Sequence, residues 1–370
     1  MSESLDLLLE LTRTLCPTCL KVVDGQVVSR RGKVYMRRRC PEHGVSEGLI
    51  SGDVAIHQKA QEFNKPGTRP LKFATEVQKG CPYDCGLCPE HKQHTCLAIL
   101  EVTNACNMRC PTCFSSSGPG DFLELKTIRD MVDAFVSSEA APEALMISGG
   151  EPSIHPRILE ILELVRQKGV RYPILNTNGK RVARDTRFVR RLGELGVTLY
   201  LQFDGFRSST YRALRGESDL FQIKKRALEH CRELKLGVIL VMTVEAGVNE
   251  DEIGAVAAFG LHEPSVKGIV YQPVFHCGRH EAAFDPMNRI TLADVVHRLV
   301  EQTGGLFRVS DLIPDPCPYP TCGSTTYVYI DGGRVEVLPR LVDVSEYLNY
   351  LQNRTLPDER AVKEALESRL

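Results

Sequence analysis

Cys106, Cys110 and Cys113 stand in a C-x3-C-x2-C pattern within LAILEVTNACNMRCPTCF, residues 97–114. Three thiolates at that spacing can ligate three irons of a 4Fe–4S cube and leave the fourth iron open to a ligand that is not protein. Paired cysteines also suit zinc, so spacing alone leaves a structural metal loop as the alternative. Further on, ALMISGGEP (residues 144–152) reads as an apolar strand that ends in Gly149, Gly150, Glu151 and Pro152. The two glycines let backbone come close to a ligand. The carboxylate beside them can bind an ammonium group.

The chain has 14 cysteines, and most fall in clusters beside Pro and Gly. That pattern fits metal ligation in a reducing compartment better than a disulfide frame, and so implies a cytoplasmic setting. Cys16 and Cys19 form one knuckle, and Cys40 lies three residues before His43 in CPEHG. Two tight turns joined by a hairpin over residues 22–29 and 33–39, turning at Arg31 and Gly32, would present these four to one tetrahedral zinc or iron. The basic run at residues 37–39 reads as a solvated strand end. Cys81, Cys85 and Cys88 repeat the C-x3-C-x2-C spacing, and Cys96 follows as a fourth ligand or a core thiol. His91 and His94 read as solvated or as neighbours of that site. Cys277, Cys317 and Cys322 can hold a further cluster, one structural metal, or nothing. Cys231, alone in a helical pattern, reads as a buried thiol.

These residues need elements to place them. From residue 97 the hydrophobic pattern alternates between short apolar runs and helical periodicity. Strands are expected at residues 97–103, 144–147, 171–177, 197–203, 237–244 and 267–272. Helices are expected at 125–139, 155–168, 185–195, 221–234 and 250–260. Six such units argue for an α/β fold with a parallel sheet curled as a partial barrel. Right-handed crossovers then put all strand ends on one face. Chemistry in such folds sits where strands end. The loop of Cys106 ends a strand, whereas that of Cys81 follows a Pro/Gly linker. The first is therefore expected to be catalytic and the second auxiliary. After residue 272 the alternation stops. A hairpin is expected at 327–330 and 334–338, turning at residues 331–333, and a helix at 345–370.

The paired C-x3-C-x2-C and GGE motifs resemble the radical S-adenosylmethionine (SAM) superfamily across residues 97–272. The resemblance implies a partial (β/α)6 barrel, SAM bound through its amino and carboxylate groups to the open iron, and reductive cleavage to a 5′-deoxyadenosyl radical. Thr112 stands where the family often has an aromatic residue, and Phe114 follows instead. In this setting Gly149, Gly150 and Glu151 are expected at the cofactor. Asn176, Thr177 and Asn178 either contact SAM or shape a turn. Gln202 and Asp204 share one strand face and either meet a ribose or substrate or serve as cap and turn residues. Asn249 either caps a helix or touches SAM. YRALRG (residues 211–216) resembles the YxxxRG segment of some members, where Arg215 orients a carboxylate; a surface salt bridge is the alternative.

CPTC, CPEHG, GCPYDCGLCPEHKQHTC, QPVFHCGR and PCPYPTCGS together resemble the tetraether synthase-like and pterin methylase-like subgroup. That implies four parts: a rubredoxin-like or zinc-ribbon-like module at 1–65, an auxiliary-cluster segment at 66–96, the barrel at 97–275 and a C-terminal auxiliary-cluster region at 276–370. It implies one catalytic and one or two auxiliary 4Fe–4S clusters and a mononuclear iron or zinc. A ferredoxin or flavodoxin would serve as reductant. The leading expectation is C–H activation for carbon–carbon bond formation on lipid alkyl chains, with Phe203, Phe206, Tyr271, Val274 and Phe275 as candidate channel walls. The alternatives are a radical methylase acting on a pterin and, from another class, an electron-transfer or metal-scaffold protein. The last would leave Gly149–Glu151 without a purpose.

Composition narrows the partners. A net charge of −1 makes no electrostatic case for nucleic acid. No apolar run approaches the ~18 residues of a membrane span, so contact with a bilayer would be peripheral. The acidic start MSESLDLLLELTR lacks the basic region of a signal peptide.

Overall fold

The computed structural model describes residues 6–64, 67–81, 83–84, 86–280, 285–315 and 319–341. Cys85, Cys317 and the helix expected at 345–370 lie outside the described residues.

The N-terminal unit is a four-stranded antiparallel meander: β1 (Leu7–Leu15), β2 (Val22–Arg30), β3 (Lys33–Cys40) and β4 (Gly44–Ser51). The expected hairpin is its centre, with Arg30 opposite Lys33 across Arg31 and Gly32, both at positive φ. The outer strands escaped the sequence reading. β1 carries exposed Leu7, Leu8, Leu11 and Leu15, so no buried face marks it as a strand. Its ladder to β2 holds it instead. The basic run at residues 37–39 is not simply solvated, because Arg37 pairs with Asp6 and Glu47. Helix α1 (Val54–Glu62) follows, capped by the Asp53 carboxylate on the N–H groups of Ala55 and Ile56.

The central sheet is parallel and six-stranded. Its strands are β5 (Leu97–Glu101), β7 (Ala144–Ser148), β8 (Tyr172–Thr177), β9 (Thr198–Gln202), β10 (Val238–Val244) and β11 (Val266–Pro273). They lie side by side in sequence order, with β6 (Thr112–Cys113) set apart from the sheet. All five residues of β7 are buried, as a strand covered on both faces requires. The covering helices are α2 (Leu125–Ser138), α3 (Ile158–Gln167), α4 (Thr186–Glu194), α6 (Leu220–Glu233) and α7 (Ile253–His262). Each buries one stripe, as α3 does with Ile158, Ile161, Leu162 and Val165. Strand and helix side chains merge into one large apolar core.

Three departures from the sequence expectation have physical causes. The helix expected from residue 155 begins at Ile158, because Pro152–Ile154 forms a separate 3-10 turn. His155 closes that turn: its Nδ1 accepts the Arg157 N–H at 3.1 Å, which leaves Nε2 to donate to Leu123 O at 3.1 Å. An extra helix, α5 (Ser208–Arg215), sits between β9 and α6 and ends in Gly216 at φ +76°. Helix–strand order also continues past residue 272. A short strand β12 (Arg279–His280) precedes α8 (Leu292–Gln302), which opens in a Thr291/Asp294 capping box and packs on α7. Beyond it, β13 (Ile313–Pro314) pairs with β14 (Ser324–Thr325), and β15 (Val328–Asp331) pairs with β16 (Arg334–Val337) in the expected hairpin. No helix among the described residues is long and apolar enough to cross a membrane.

Candidate active site

The Cys106–Cys113 loop leaves β5 at the C-terminal edge of the sheet, as expected. Thr103 anchors its start, donating to Asp121 O and accepting the Ala105 N–H at 2.9 Å. The end of β7 is sewn to the same loop. Gly150 N–H donates to Thr103 O at 2.8 Å, and Glu151 N–H to Ala105 O at 2.9 Å. A Cβ on Gly149 would lie 2.1 Å from Thr103 O, and one on Gly150 2.2 Å from Ala105 O. The close approach that these glycines permit is therefore between two stretches of backbone, not only toward a ligand as the sequence suggested.

The thiols of Cys106, Cys110 and Cys113 are free and partly exposed. Burial pushes Cys106 up to about 11, with the nearby Glu151 charge adding to it. Burial also raises Cys110, against the pull of the Arg215 guanidinium. Iron would overcome both by binding the thiolate form. Two tight groups of metal-ligand atoms occur among the described residues, and this triad is not one of them. A single ion needs its donors within one coordination sphere, whereas a four-iron cube spreads them over its corners. The wider triad with free sulfurs suits a cube.

The strand-end residues form two layers. Glu151 is 1% exposed and fully engaged: its carboxylate accepts from Ser153 N at 3.0 Å, Thr177 Oγ1 at 2.7 Å and Asn178 N at 2.7 Å. Asn178 Nδ2 in turn donates to Asn107 Oδ1 at 2.7 Å, inside the cysteine loop. Asn176 reaches back to Ser148 Oγ at 3.0 Å. Asp204 is also enclosed. Arg215 grips it with two hydrogen bonds of 2.8 and 2.7 Å, Thr243 N–H donates to it at 3.1 Å, and Gln202 Nε2 donates from the shared strand face. The guanidinium, with help from Gln202 and Lys224, holds Asp204 below the usual carboxylate range despite its burial. Arg215 is thus a buried, bidentate partner rather than a surface salt bridge. Asn249 neither caps α7, whose N-cap is Glu252, nor is exposed. Its Nδ2 bridges Asp204 O and Thr243 O, both at 2.8 Å, and so pins β9 to β10.

Lys224 went unnoticed in the sequence. It is fully buried, donating to Asn178 O and to Gln202 Oε1 at 3.2 Å. A signal was present, because Leu220, Lys224, Ala227, Leu228 and Cys231 form the buried stripe of α6 and one member is charged.

The other cysteine groups separate clearly. In the N-terminal unit Cys16 Sγ and Cys40 Sγ lie 3.7 and 3.5 Å from His43 Nδ1, and Cys19 Sγ lies 3.9 Å from Cys40 Sγ. Tetrahedral zinc, with bonds of about 2.0–2.3 Å, sets its ligand atoms roughly 3.3–3.8 Å apart. These three separations are close to that spacing, and all four ligand atoms lie within 4.8 Å of one another. The Cys19 N–H helps to bring the Cys16 thiol down to about 6, which favours the ligating thiolate. In the next segment Cys88 is buried and Cys81 exposed. Asp84 shapes their loop by accepting from Gln78 N at 2.8 Å, Lys79 N at 2.5 Å and Gly80 N at 2.7 Å. Cys96 is buried. His94 is not solvated: it lies between Glu139, at 2.7 Å, and Cys96 Sγ, at 3.5 Å. Cys322 is exposed, while Cys277 sits against the catalytic loop, 3.9 Å from Phe114 O. Cys317, the third member expected with them, lies outside the described residues. Cys231 is buried, as its setting implied.

The parallel six-stranded sheet, the cysteine triad at its C-terminal edge and the glycine-linked strand end beside it define a radical SAM enzyme, and the chain belongs to the radical SAM superfamily. Residues 100–260 match the model described as radical SAM superfamily, and residues 8–52 match the HMPTM N-terminal zinc ribbon domain. A curated relative, the 7,8-dihydro-6-hydroxymethylpterin dimethyltransferase of Methanocaldococcus jannaschii, is 32% identical over 370 residues, covering 93% of this chain and 72% of that protein. The GTP 3′,8-cyclase of Pectobacterium atrosepticum is 29% identical over 160 residues, covering 40% of this chain and 47% of that one. Among solved structures, SuiB of Streptococcus suis bound to the precursor peptide SuiA gives a TM-score of 0.46 at 16% identity, covering 57% of this chain and 46% of that one. Membership fixes the cofactors as SAM and 4Fe–4S iron–sulfur, and it requires a reductant.

Proposed function

We propose that the chain is a radical SAM methylase whose substrate is a reduced pterin. The observation that carries this is the 32% identity to the pterin dimethyltransferase, which runs over 93% of this chain. The surface beside the cysteine loop supports it. Phe114 and Phe275 are 71% and 62% exposed, and their ring centroids lie 6.4 Å apart at 48°. Exposed aromatic faces next to the reacting centre suit a flat heterocycle. Of the channel walls expected for a lipid, three are core side chains. Phe203 and Val274 are buried, and Phe203, Phe206, Phe221 and Phe259 pack on one another as ordinary core.

Bound together, SAM and the cluster supply a radical able to take hydrogen from an unactivated carbon. The chain's own residues divide the work. Cys106, Cys110 and Cys113 hold the catalytic cluster. The Gly149–Gly150 backbone, Asn176 and Gln202 face the cofactor, while Glu151, Thr177 and Asp204 fix those groups in place. Cys81, Cys85, Cys88 and Cys96 hold an auxiliary cluster, and Cys16, Cys19, Cys40 and His43 hold zinc. Cys277 belongs with Cys317 and Cys322 or with the catalytic loop that it touches. A ferredoxin or flavodoxin in a reducing, cytoplasmic setting delivers the electron.

The test incubates the reduced protein with SAM and 7,8-dihydro-6-hydroxymethylpterin. A pterin heavier by one or two methyl groups is expected, together with 5′-deoxyadenosine. Cleavage of SAM stimulated by isoprenoid lipid and not by pterin would overturn the proposal. Replacing Cys106, Cys110 and Cys113 by Ala should abolish 5′-deoxyadenosine formation. Cys81→Ala and Cys88→Ala should leave some uncoupled cleavage. The opposite result would transfer the catalytic role to the earlier loop.

A further inference from the structure

One tight group of ligand-type side chains lies outside every cysteine site. Glu245 follows β10 directly, His276 lies in the turn after β11, and His280 is in β12. One ligand atom from each lies within 4.8 Å of the other two. His280 Nε2 is 3.4 Å from Glu245 Oε1, and the two imidazole centroids are 4.4 Å apart with their planes at 61°. The Glu245 and His280 side chains are 17% and 9% exposed, so both are largely removed from water. The Cys277 thiol is not part of the group and approaches Phe114 O instead.

We propose that Glu245, His276 and His280 bind one divalent first-row transition-metal ion, at a site separate from the cysteine triad and the N-terminal ribbon. Two imidazoles and a carboxylate are a ligand set that zinc and ferrous iron both accept, and it leaves positions for water or substrate. His280 and Glu245, at 3.4 Å, already stand near the roughly 3.3 Å spacing around such an ion, and His276, within 4.8 Å of both, has to close on them. The backbone offers a stable frame for that closure. Glu245 N–H is held by Asn249 Oδ1 at 2.9 Å, and Val274 N–H by Val244 O at 2.8 Å. Arg289 is close enough to influence His276 and opposes a bound cation. The Glu245 carboxylate is therefore the decisive ligand, because it offsets that charge.

The location gives the ion a consequence. β12 pairs antiparallel with β6, His280 opposite Thr112 and Arg279 opposite Cys113. Arg279 also donates to Cys110 O at 2.8 Å and Ser117 O at 2.9 Å. An ion on His276 and His280 would clamp this segment to the end of β10 and so brace the catalytic loop from outside.

The experiment uses the full chain with its clusters and ribbon metal in place. Protein is dialysed against buffered Zn2+, and zinc, iron and sulfide per chain are measured. Wild type is expected to bind one zinc beyond the ribbon equivalent. Glu245→Gln and His276→Ala should weaken that extra equivalent at least tenfold while iron, sulfide and the ribbon equivalent stay unchanged. No extra equivalent in wild type, or an equal one in both variants, would overturn the proposal. A second measurement needs no variant. Histidine carbethoxylation of wild type, read by peptide mass, should slow at His276 and His280 when Zn2+ is added, and unchanged rates there would overturn the proposal equally.

Discussion

Lys224 carries its ammonium group where burial opposes charge. Desolvation brings it down to about 8 against the attraction of Asp204, compared with about 10.4 for an ordinary lysine. The sign of its contribution follows. Below pH 8 the group is charged in both the folded and unfolded chain, and the full burial penalty applies. Between about pH 8 and 10.4 the unfolded chain still binds the proton and the folded chain has released it, so stability rises with pH by at most about 1.4 kcal/mol per unit. Denaturant unfolding at several pH values should show this slope in wild type and lose it in Lys224→Met. Equal slopes in both would mean that Lys224 is not buried as a charge. At this scale the sequence was readable where a residue type has few uses. Three cysteines at fixed spacing announced themselves. Glu151 and Asp204 were visible as strand-end carboxylates, but a sequence cannot show which donors reach them. Several of the partners lie 26 to 39 residues away: Thr177 and Asn178 for Glu151, and Thr243 for Asp204.

The catalytic loop is held by elements that are distant in sequence, and β12 is the clearest case. Two residues long, it has no hydrophobic period to announce it, and its pairing with β6 joins segments more than 160 residues apart. The six sheet strands were legible because each is a short apolar run set among helical stripes, although the edge strands β5 and β11 are only partly buried. β1, β4, α5 and β12 were not, because local hydrogen bonds or long-range pairing define them rather than burial. Gly278 makes the β12 contact possible. Its φ is +65°, and a Cβ there would stand 2.1 Å from Phe114 O and 2.5 Å from Cys113 O. Gly278→Ala would incur the left-handed backbone cost, about 1–2 kcal/mol, and must also push the segment off the loop. Gly304 serves as the control, at φ +60° with nothing within 4 Å of a Cβ. Gly304→Ala should lose only the backbone cost and keep its full iron. Gly278→Ala should retain less iron and sulfide per chain and form less 5′-deoxyadenosine. Equal iron content in the two variants would remove β12 as a support of the cluster loop.

Across the molecule, the N-terminal ribbon is docked on the region that follows the barrel strands rather than tethered loosely. Leu49 N–H donates to Pro286 O at 2.9 Å, Gly52 N–H to Thr291 Oγ1 at 3.0 Å, and His297 meets Asp53 at 2.8 Å. All three contacts come from β4 or the start of α1 and end on or beside α8, which packs on α7 and the barrel. Around the metal-ligand residues the ribbon's apolar cluster is only Cys16, Val23 and Cys40, and Val27, Val28, Val34 and Leu49 add a few buried aliphatic side chains along its strands. Small modules of this kind commonly owe their fold to the metal. The metal should therefore stabilise β3–β4 and, through them, the N-terminal end of α8, without contributing ligands to any cluster. Cys16→Ser removes one of four donors gathered within 4.8 Å of one another. The variant should lose one zinc equivalent, keep the iron and sulfide of wild type, and show faster amide exchange in β3, β4 and the first turn of α8. Metal analysis and hydrogen exchange on the same sample read these outcomes together. An unchanged zinc count would show that the four residues are not a metal site. Loss of zinc with unchanged exchange in α8 would show that the ribbon folds on its metal but lends nothing to the barrel behind it.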